Sequence, residues 1–182
     1  MDHLGELTTL ADRLRCSGLT EGVRTDHPLG RLTTYRVGGS AALFVRPADL
    51  GELSRVAEAV SAVAVPVLVV GCGSNLLVAD TGFEGLAIQL GPGFEEVGVA
   101  GTRLTAGGAA SLPTVARLSV AEGLAGFEWA VGVPGSIGGA VRMNAGGHGS
   151  EMSEVVEAVT LVDLTDGDRR TVPVGGLDLG YR

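Results

Sequence analysis

The segment from Trp129 to Gly149 limits what this chain can fold into more than any other segment does, because it places seven glycines among apolar residues. A flexible linker with this much glycine is normally polar and rich in serine. Two interpretations remain. Either the backbone passes close to a flat or anionic ligand, or it packs closely against another stretch of backbone. Both place the segment in the ordered body of the protein, and the first predicts a ligand site.

Glycine is abundant along the whole chain, at 30 of 182 residues, roughly twice its usual share. These glycines follow no Gly-X-Y period, which excludes a collagen-like structure. Hydrophobic residues make up 45% of the chain, enough for a buried core, so disorder is also excluded. The length predicts one domain, or one large and one small domain.

The charged residues narrow the function classes. The net charge is −8, and all 13 basic side chains are arginine. Without lysine, a Schiff-base mechanism and a lysine-containing phosphate loop are both excluded. An acidic chain with scattered arginines is also a poor nucleic-acid binder, since such binding rests on neutralising phosphates.

Cysteine and histidine usage argues against a metal site. Cys16 and Cys72 are the only cysteines and form no CxxC motif, and the three histidines lack ligand spacing. The longest apolar run, about residues 60–70, is too short to cross a bilayer, and the N-terminus has no signal-peptide pattern. These observations predict a cytoplasmic protein with no membrane, nucleic-acid or metal partner.

Hydrophobic periodicity predicts helices over residues 2–15 and 49–62. Asp49 and Glu52 resemble a capping box at the start of the second helix. Extended segments near 42–46 and 66–70 flank that helix and complete a β-α-β unit. The run 66–70 is apolar throughout, which is typical of a strand buried on both faces.

The second half of the chain is richer in short strands. Ser111 is expected to cap a helix that Gly123 ends. Strands are expected near 86–90, 97–106, 155–164 and 171–174, with a hairpin turn at 165–168. Strands first alternate with helices and then gather, so the predicted fold class is α+β rather than a doubly wound sheet.

A glycine-containing loop follows the run 66–70 directly. Gly71 and Gly73 can adopt positive φ and turn backbone N–H groups toward an anion, while Ser74 and Asn75 add side-chain donors. The alternative is a tight strand-to-strand turn. The loop lacks the dinucleotide-binding fingerprint, because Leu76 occupies the position of the third glycine.

Five motifs in order resemble the UDP-N-acetylenolpyruvoylglucosamine reductases of peptidoglycan synthesis, also called UDP-N-acetylmuramate dehydrogenases. They are Thr33–Gly39, Gly71–Val78, Gly132–Ala140, Met143–Gly146 and the final Tyr181-Arg182. The resemblance covers about residues 26–182 and only the flavin-binding half of that family. Two positions depart from the family pattern: Cys72 stands where we expect Gly, Lys, Arg or Glu, and His148 where many relatives have Tyr.

The resemblance implies an FAD-binding domain of the vanillyl-alcohol-oxidase (PCMH) type with two α+β subdomains. After an N-terminal helix and lead-in over 1–25, these would be 26–90 and 91–182. It further implies noncovalent FAD, NADPH as hydride donor and a nucleotide-sugar substrate. The implied cofactor contacts are Gly71, Cys72, Gly73, Ser74, Asn75 and Leu76 at the diphosphate, and Gly132, Pro134, Gly135, Ser136, Gly138, Gly139, Asn144 and Gly146 along the flavin and ribityl chain.

The resemblance also supplies one catalytic candidate. Arg182 falls in a Tyr-Arg-x-Ser motif whose arginine would stabilise the enolate formed during reduction, a task suited to a permanently charged, forked guanidinium. A solvated terminal arginine is the alternative. The family's serine proton donor and its assisting glutamate belong to a following substrate domain that has no counterpart in residues 1–182. We therefore expect this chain to bind FAD without turning over substrate alone.

Two other functions remain open. One is a different flavoprotein oxidase on the same fold, such as a sugar or lactone oxidase. Those enzymes often attach FAD covalently to a loop histidine, but His148 lies in a loop where that bond is not expected. The other is a truncated, non-catalytic flavin-binding module.

Overall fold

The computed structural model describes residues 3–180, and its contacts divide the chain into two compact units. The first unit contains the described residues up to Gly91 together with 162–169. The second unit contains 92–161 and 170–180. The catalytic candidate Arg182 and its neighbour Tyr181 lie outside the described residues.

The first unit is built on a four-stranded sheet of order β1-β2-β4-β3. Strand β1 runs antiparallel to β2, whereas β2, β4 and β3 are parallel. The predicted β-α-β unit is present as β2-α2-β3, with β4 inserted between its two strands. The elements are α1 (His3–Cys16), β1 (Val23–Pro28), β2 (Ser40–Val45), α2 (Leu50–Ser61), β3 (Val67–Val69) and β4 (Phe83–Ile88).

Both faces of this sheet carry apolar side chains. Helices α1 and α2 pack on one face, as their 3.6-residue periodicity predicts. The core there contains Leu10, Leu14, Leu43, Val45, Val56, Leu86 and Ile88. The opposite face is covered by coil rather than by a helix, and its core contains Leu29, Phe44, Val70, Val78 and Ala87. The coil segments on that face include the first two sequence motifs.

Two expectations for the first unit are wrong. Strand β3 is not buried on both faces, because it forms an edge of the sheet and leaves the Val69 side chain 60% exposed. The capping box is only half formed: the Asp49 carboxylate accepts the Glu52 amide at 2.9 Å, but the Glu52 carboxylate accepts from Thr20 and Ala48 instead.

The periodicity analysis also missed β1. Its sequence, Val-Arg-Thr-Asp-His-Pro, does not alternate apolar and polar residues. As an edge strand, β1 pairs with a neighbour on one side only, and Asp26 within it adopts a φ of +50°. Pairing with the apolar strand β2 therefore determines this element, and hydrophobic patterning does not reveal it.

The second unit contains short strands and helices around a separate core. Its elements are β5 (Val97–Ala100), β6 (Arg103–Ala106), α3 (Leu112–Ala121), α4 (Ile137–Arg142), β7 (Gly146–Gly147), β8 (Ser150–Glu151), α5 (Met152–Val155), β9 (Ala158–Val162) and β10 (Arg169–Pro173). Its core contains Leu112, Ala116, Trp129, Ala130, Ala140, Ala145 and Met152. Residues 162–169 connect β9 to β10, and Leu164 packs against the core of the first unit.

Details of the second unit refine the sequence predictions. The expected strand over 97–106 is a hairpin that turns at Gly101, whose φ is +60°. Ser111 occupies the N-cap position of α3, but its side chain makes no capping hydrogen bond, contrary to expectation. Gly123, with φ of +73°, follows the end of that helix as predicted. No helix within residues 3–180 has the length and apolar character needed to cross a bilayer.

Candidate functional site

The loop after β3 is held tightly against an earlier segment of the first unit. Gly73 is buried with a φ of +65°, and a β-carbon there would overlap the carbonyl oxygen of Leu32. In the same contact, the Thr34 amide donates to the Gly73 carbonyl at 3.2 Å. Glycine is therefore required at position 73 for two reasons, the left-handed backbone conformation and the missing side chain.

The contact continues along the motif Thr33–Gly39. A β-carbon on Gly38, whose φ is +110°, would overlap Val78, and one on Gly39 would lie 2.5 Å from the Asp80 carbonyl oxygen. The Gly39 amide donates to the Ala79 carbonyl at 2.9 Å. The first two sequence motifs therefore form one paired backbone structure. Sequence analysis did not predict this pairing, although the two glycines at the end of the first motif are its signal.

The loop also presents unused hydrogen-bond donors. The backbone amides of Gly71, Gly73 and Asn75 donate to no acceptor within residues 3–180. The carbonyl of Gly71 is held by the Gln89 side-chain amide at 3.3 Å. Several unpaired N–H groups in one tight loop at the end of a parallel strand form a donor set suited to phosphate oxygens.

The other predicted residues of this loop differ in surroundings. Cys72 is exposed and forms no disulfide, Ser74 is half-buried, and Asn75 is exposed. Leu76 packs against the core beneath the loop, while the next residue, Leu77, is 70% exposed. The side chain of Leu76 thus anchors the loop.

The glycine-rich segment of the second unit contains an unpredicted helix, α4. The Ser136 hydroxyl accepts the Gly139 amide at 3.3 Å at its start. The amides of Ile137 and Gly138 donate to the carbonyls of Ala110 and Gly108 at 2.9 and 2.8 Å. These three backbone amides already donate to acceptors within the protein and are therefore not free to bind a ligand.

Close backbone packing accounts for part of this glycine content. A β-carbon on Gly138 would lie 2.9 Å from the Gly108 carbonyl oxygen, and one on Gly146 would lie 2.7 Å from that of Ser150. Gly135 accepts the Leu112 amide and has a φ of +136°. By contrast, a β-carbon on Gly132, next to Val133 and Pro134, would meet nothing within 4 Å. Of the two interpretations of the glycine-rich segment, backbone packing explains Gly138 and Gly146 and leaves Gly132 unexplained.

Asn144 has a structural task in the second unit. It is 6% exposed with a φ of +41°, and its Oδ1 accepts the Ser153 amide at 2.9 Å. The pKa of the Glu151 carboxyl is lowered, first by a hydrogen bond from the Ser153 hydroxyl and then by the Asn144 side chain. His148 lies nearby on the exposed turn between β7 and β8, with a φ of +55°.

The structure therefore gathers the predicted cofactor residues into two groups. Residues 71–76 form one group in the first unit, backed by the segment around Leu32. Residues 132–146 form the other in the second unit, built around α4. Within residues 3–180 no group of three or more His, Cys, Asp or Glu side chains is arranged to hold a metal ion.

Comparison with known proteins identifies the class to which this architecture belongs. Residues 41–172 match the family model described as an FAD binding domain, and the chain belongs to that family. A variant of Physcomitrella patens BBE-like 1 superposes with a TM-score of 0.63 at 18% identity, over 92% of this chain and 38% of that one. That likeness concerns the fold alone. The predicted α+β fold of the vanillyl-alcohol-oxidase type is confirmed.

Within that class, the chain corresponds to the FAD-binding part of the UDP-N-acetylenolpyruvoylglucosamine reductases, which confirms the predicted resemblance. The Heliobacterium modesticaldum reductase is 44% identical over 85% of this chain and 49% of that protein. The Paramagnetospirillum magneticum reductase is 49% identical over 76% of this chain and 45% of that protein. The chain thus spans about half the length of these relatives.

A solved structure supports the same assignment. The crystal structure of UDP-N-acetylenolpyruvylglucosamine reductase from Thermus caldophilus superposes with a TM-score of 0.73 at 34% identity. The match covers 88% of this chain and 56% of that one.

Proposed function

We propose that this chain is the FAD-binding half of an NADPH-dependent UDP-N-acetylenolpyruvoylglucosamine reductase and holds FAD noncovalently. The observation that carries the proposal is the loop after β3, where the amides of Gly71, Gly73 and Asn75 have no acceptor within residues 3–180. A diphosphate needs several donors converging on it, and a chain without lysine must supply them from its backbone or from arginine. The donor set of this loop fits that requirement.

The residues that would hold FAD are Gly71, Gly73 and Asn75 at its diphosphate, and the cofactor would supply hydride-transfer chemistry between NADPH and the carbon–carbon double bond of the enolpyruvyl nucleotide sugar. The residues of this chain bind and orient. The loop amides would donate to the diphosphate oxygens, and the paired segment behind them fixes their direction before the ligand arrives. Such preorganisation lowers the entropy cost of binding.

The second unit would contribute differently. Its backbone amides at Ile137 and Gly138 already donate to carbonyls of the protein. We therefore propose that this unit contributes to flavin binding mainly through steric fit and not through hydrogen bonds from these amides. Gly132 has open space where a side chain would stand, and Gly135, Ser136 and Gly139 lie in the same segment. Asn144 would act as a positioning residue that fixes the backbone of this segment.

The binding experiment compares ligands that share parts of FAD. The chain, stripped of flavin, is titrated calorimetrically with FAD, ADP and riboflavin. We expect FAD to bind, ADP to compete with it, and riboflavin to bind far more weakly because it lacks the diphosphate. If riboflavin binds as tightly as FAD and ADP does not compete, the loop does not hold a diphosphate.

Acid precipitation tests the mode of attachment. Denatured protein is expected to release its flavin into the supernatant, since the proposal assigns no covalent bond. Flavin that stays in the pellet would favour an oxidase with covalently bound FAD instead. His148→Gln serves as the matched variant, because it removes the one histidine in the glycine-rich segment. It should leave the amounts of flavin in the supernatant and in the pellet unchanged.

The activity proposal rests on Arg182, which we propose as the catalytic residue that stabilises the enolate. In the protein that contains this chain, Arg182→Gln is expected to lower kcat by roughly 10²–10³-fold, the usual cost of losing one such donor. FAD content should be unchanged. Unchanged kcat would remove Arg182 from the mechanism without touching the FAD-binding proposal.

A further inference from the structure

The first of the five sequence motifs exposes its central residues beside the loop after β3. Backbone hydrogen bonds from Thr34 and from Gly39 fix its two ends on that loop and on the coil that continues it. Between these fixed points lie Tyr35, Arg36 and Val37, and all three residues are exposed. The motif therefore presents an outward surface next to the proposed diphosphate site.

Arg36 carries a positive charge that the described chain does not neutralise. Within residues 3–180 its guanidinium forms no hydrogen bond and no ion pair. Only its backbone amide is used, and that amide donates to the carbonyl and the hydroxyl of Thr33 at 3.3 and 3.1 Å. All five N–H donors of the side chain are therefore available to a ligand.

The backbone at Arg36 adopts a conformation that is unusual for a bulky residue. Its φ is +56°, in the left-handed region that favours glycine. Strain of this kind persists only where the surrounding structure imposes it, and it is concentrated at ligand-binding and catalytic sites. Because glycine would form the same turn without strain, what arginine adds at this position is its side chain.

The residues on either side of Arg36 are exposed and largely apolar. Tyr35 is 64% exposed and Val37 is 52% exposed. On the paired segment Leu77 is 70% exposed, whereas the residues before and after it pack against the core. Exposed large apolar side chains close to a charge are typical of a ligand-binding surface. Such a surface suits a ligand with apolar parts beside an anionic group, as in a nucleotide.

The proposed diphosphate ligand requires a positive charge that the loop does not contain. Residues 71–76 include no basic side chain, and the whole chain has no lysine. Backbone amides supply only partial charges, and a chain with a net charge of −8 repels an anion at long range. An arginine beside the loop meets this requirement, because its forked guanidinium pairs with phosphate oxygens and keeps its charge.

We propose that Arg36 binds the diphosphate of FAD and supplies the cation that the loop after β3 lacks. The inference rests on the proposed function and deepens it, since it names the charged residue of the same site. Thr34, two residues before Arg36, donates to the Gly73 carbonyl, so the backbone from which the guanidinium extends is fixed beside the loop. The loop amides would orient the phosphate groups, and Arg36 would neutralise them.

The first test measures ADP affinity by calorimetric titration of the chain stripped of flavin. Arg36→Gln should weaken ADP binding about tenfold or more, because a hydrogen bond between charged groups is lost. Arg36→Lys keeps the charge but not the fork, and it should recover part of the lost affinity. Higher ionic strength should weaken ADP binding more in the wild type than in Arg36→Gln, because salt screens an exposed charge.

Arg13→Gln is the matched control for the change in net charge. Arg13 is exposed on α1 and forms no ion pair within residues 3–180. Helix α1 packs on the face of the sheet opposite to the coil that contains both motifs, so this variant should bind ADP like the wild type. Equal weakening by Arg13→Gln and Arg36→Gln would assign the effect to net charge and overturn the inference.

Arg36→Gly separates ligand binding from a structural role of the side chain. Glycine adopts a φ of +56° without strain, so the Tm of the ligand-free chain should stay the same or rise. ADP affinity should nevertheless fall as far as in Arg36→Gln. Circular dichroism checks that each variant is folded. Wild-type ADP affinity in Arg36→Gly would show that only the turn matters and would overturn the inference.

Failure of this inference and failure of the proposed function give different results. If the wild type binds FAD and ADP and Arg36→Gln binds both equally well, Arg36 is removed from the site and the diphosphate loop is retained. If the wild-type chain binds neither nucleotide, both proposals are overturned.

Discussion

Gly73 packs directly on the carbonyl oxygen of Leu32, and the two residues leave no room between them for a β-carbon. They are separated by about forty positions in sequence and belong to two different segments of the first unit. The contact determines the orientation of the loop whose unpaired amides we propose as the diphosphate site. The shape of that loop therefore depends on a backbone segment that precedes the sheet strands β2, β3 and β4.

We expect Gly73→Ala to destabilise the first unit and to abolish FAD binding. The added methyl group would overlap the Leu32 backbone, and alanine would have to adopt a φ of +65°. Together these effects should lower the free energy of unfolding by about 2–4 kcal/mol, measured by urea denaturation.

Gly98→Ala is the control for that variant. Gly98 lies on the exposed face of the β5–β6 hairpin, where an added methyl group would meet nothing within 4 Å, and its φ is not positive. Its stability should stay within about 0.5 kcal/mol of the wild type. If the two alanine variants behave alike, the close contact at Gly73 does not constrain the loop.

Glu52 should be essential to the stability of the first unit. Its side chain is buried, and its carboxylate accepts the Thr20 amide at 2.9 Å, the Thr20 hydroxyl at 2.5 Å and the Ala48 amide at 2.9 Å. Glu52→Gln replaces one acceptor oxygen with a donor, so we expect a loss of about 2–3 kcal/mol. Glu58→Gln, on the exposed face of the same helix, is the control and should be nearly neutral in urea denaturation.

The same carboxylate predicts a pH dependence. Hydrogen bonds from the Thr20 side chain and the Ala48 amide hold the pKa of Glu52 below its ordinary value. A lowered pKa in the folded state means that this contribution is complete above the unfolded value of about 4.3 and is lost as the pH falls through the folded value. Glu52→Gln should therefore flatten the acid limb of the stability profile, and an unchanged limb would contradict this assignment.

The lowered pKa of His27 predicts that folding stability also depends on pH in a second range, separate from that of Glu52. Burial, Arg24 and Arg31 lower the pKa of His27, so the folded protein resists protonation more than the unfolded chain does. Stability should decline as the pH falls below the unfolded value of about 6.5. His27→Phe, which can keep the stacking on Phe44, should weaken the decline in stability as the pH falls through about 6.5 in urea titrations.

The control for the histidine prediction is His148→Gln. His148 is exposed on a hairpin turn and is not among the residues that lower the pKa of His27 or stack on its ring. The decline in this pH window should be the same as in the wild type. A decline that persists in His27→Phe would assign the effect to another group.

Asn144 should contribute to the stability of the second unit through both its backbone conformation and its side chain. Asn144→Gly keeps the positive φ without strain but leaves the Ser153 amide without its acceptor, at a cost of about 1–3 kcal/mol. Asn144→Ala loses the same bond and adds left-handed strain, about 1–2 kcal/mol more. His148→Gly, at a φ of +55° on an exposed turn, should be neutral or stabilising. Equal stability of the glycine and alanine variants would contradict the strain argument.

Sequence analysis was most successful where one segment determines its own structure. The amphipathic patterns of α1 and α2 and the glycine after α3 require only local interactions, and those elements were predicted within one or two residues. The motif order was sufficient to identify the family. Strand β1, the hairpin within 97–106 and helix α4 were missed, because partner strands, turn geometry and packing stabilise them rather than periodicity.

The sequence alone determined which positions can adopt positive φ or allow close backbone contacts, because these properties depend on where glycine stands. It also determined which segments form amphipathic helices, because hydrophobic spacing is a local property. Only the tertiary structure decided how that freedom is used. It showed that Gly73 and Gly38 bring two distant backbones together, that Gly138 packs on Gly108, and that Glu52 binds Thr20 instead of completing its own helix cap. Those outcomes depend on which atoms come within about 3 Å of one another, and segments far apart in sequence are brought to that distance only by folding.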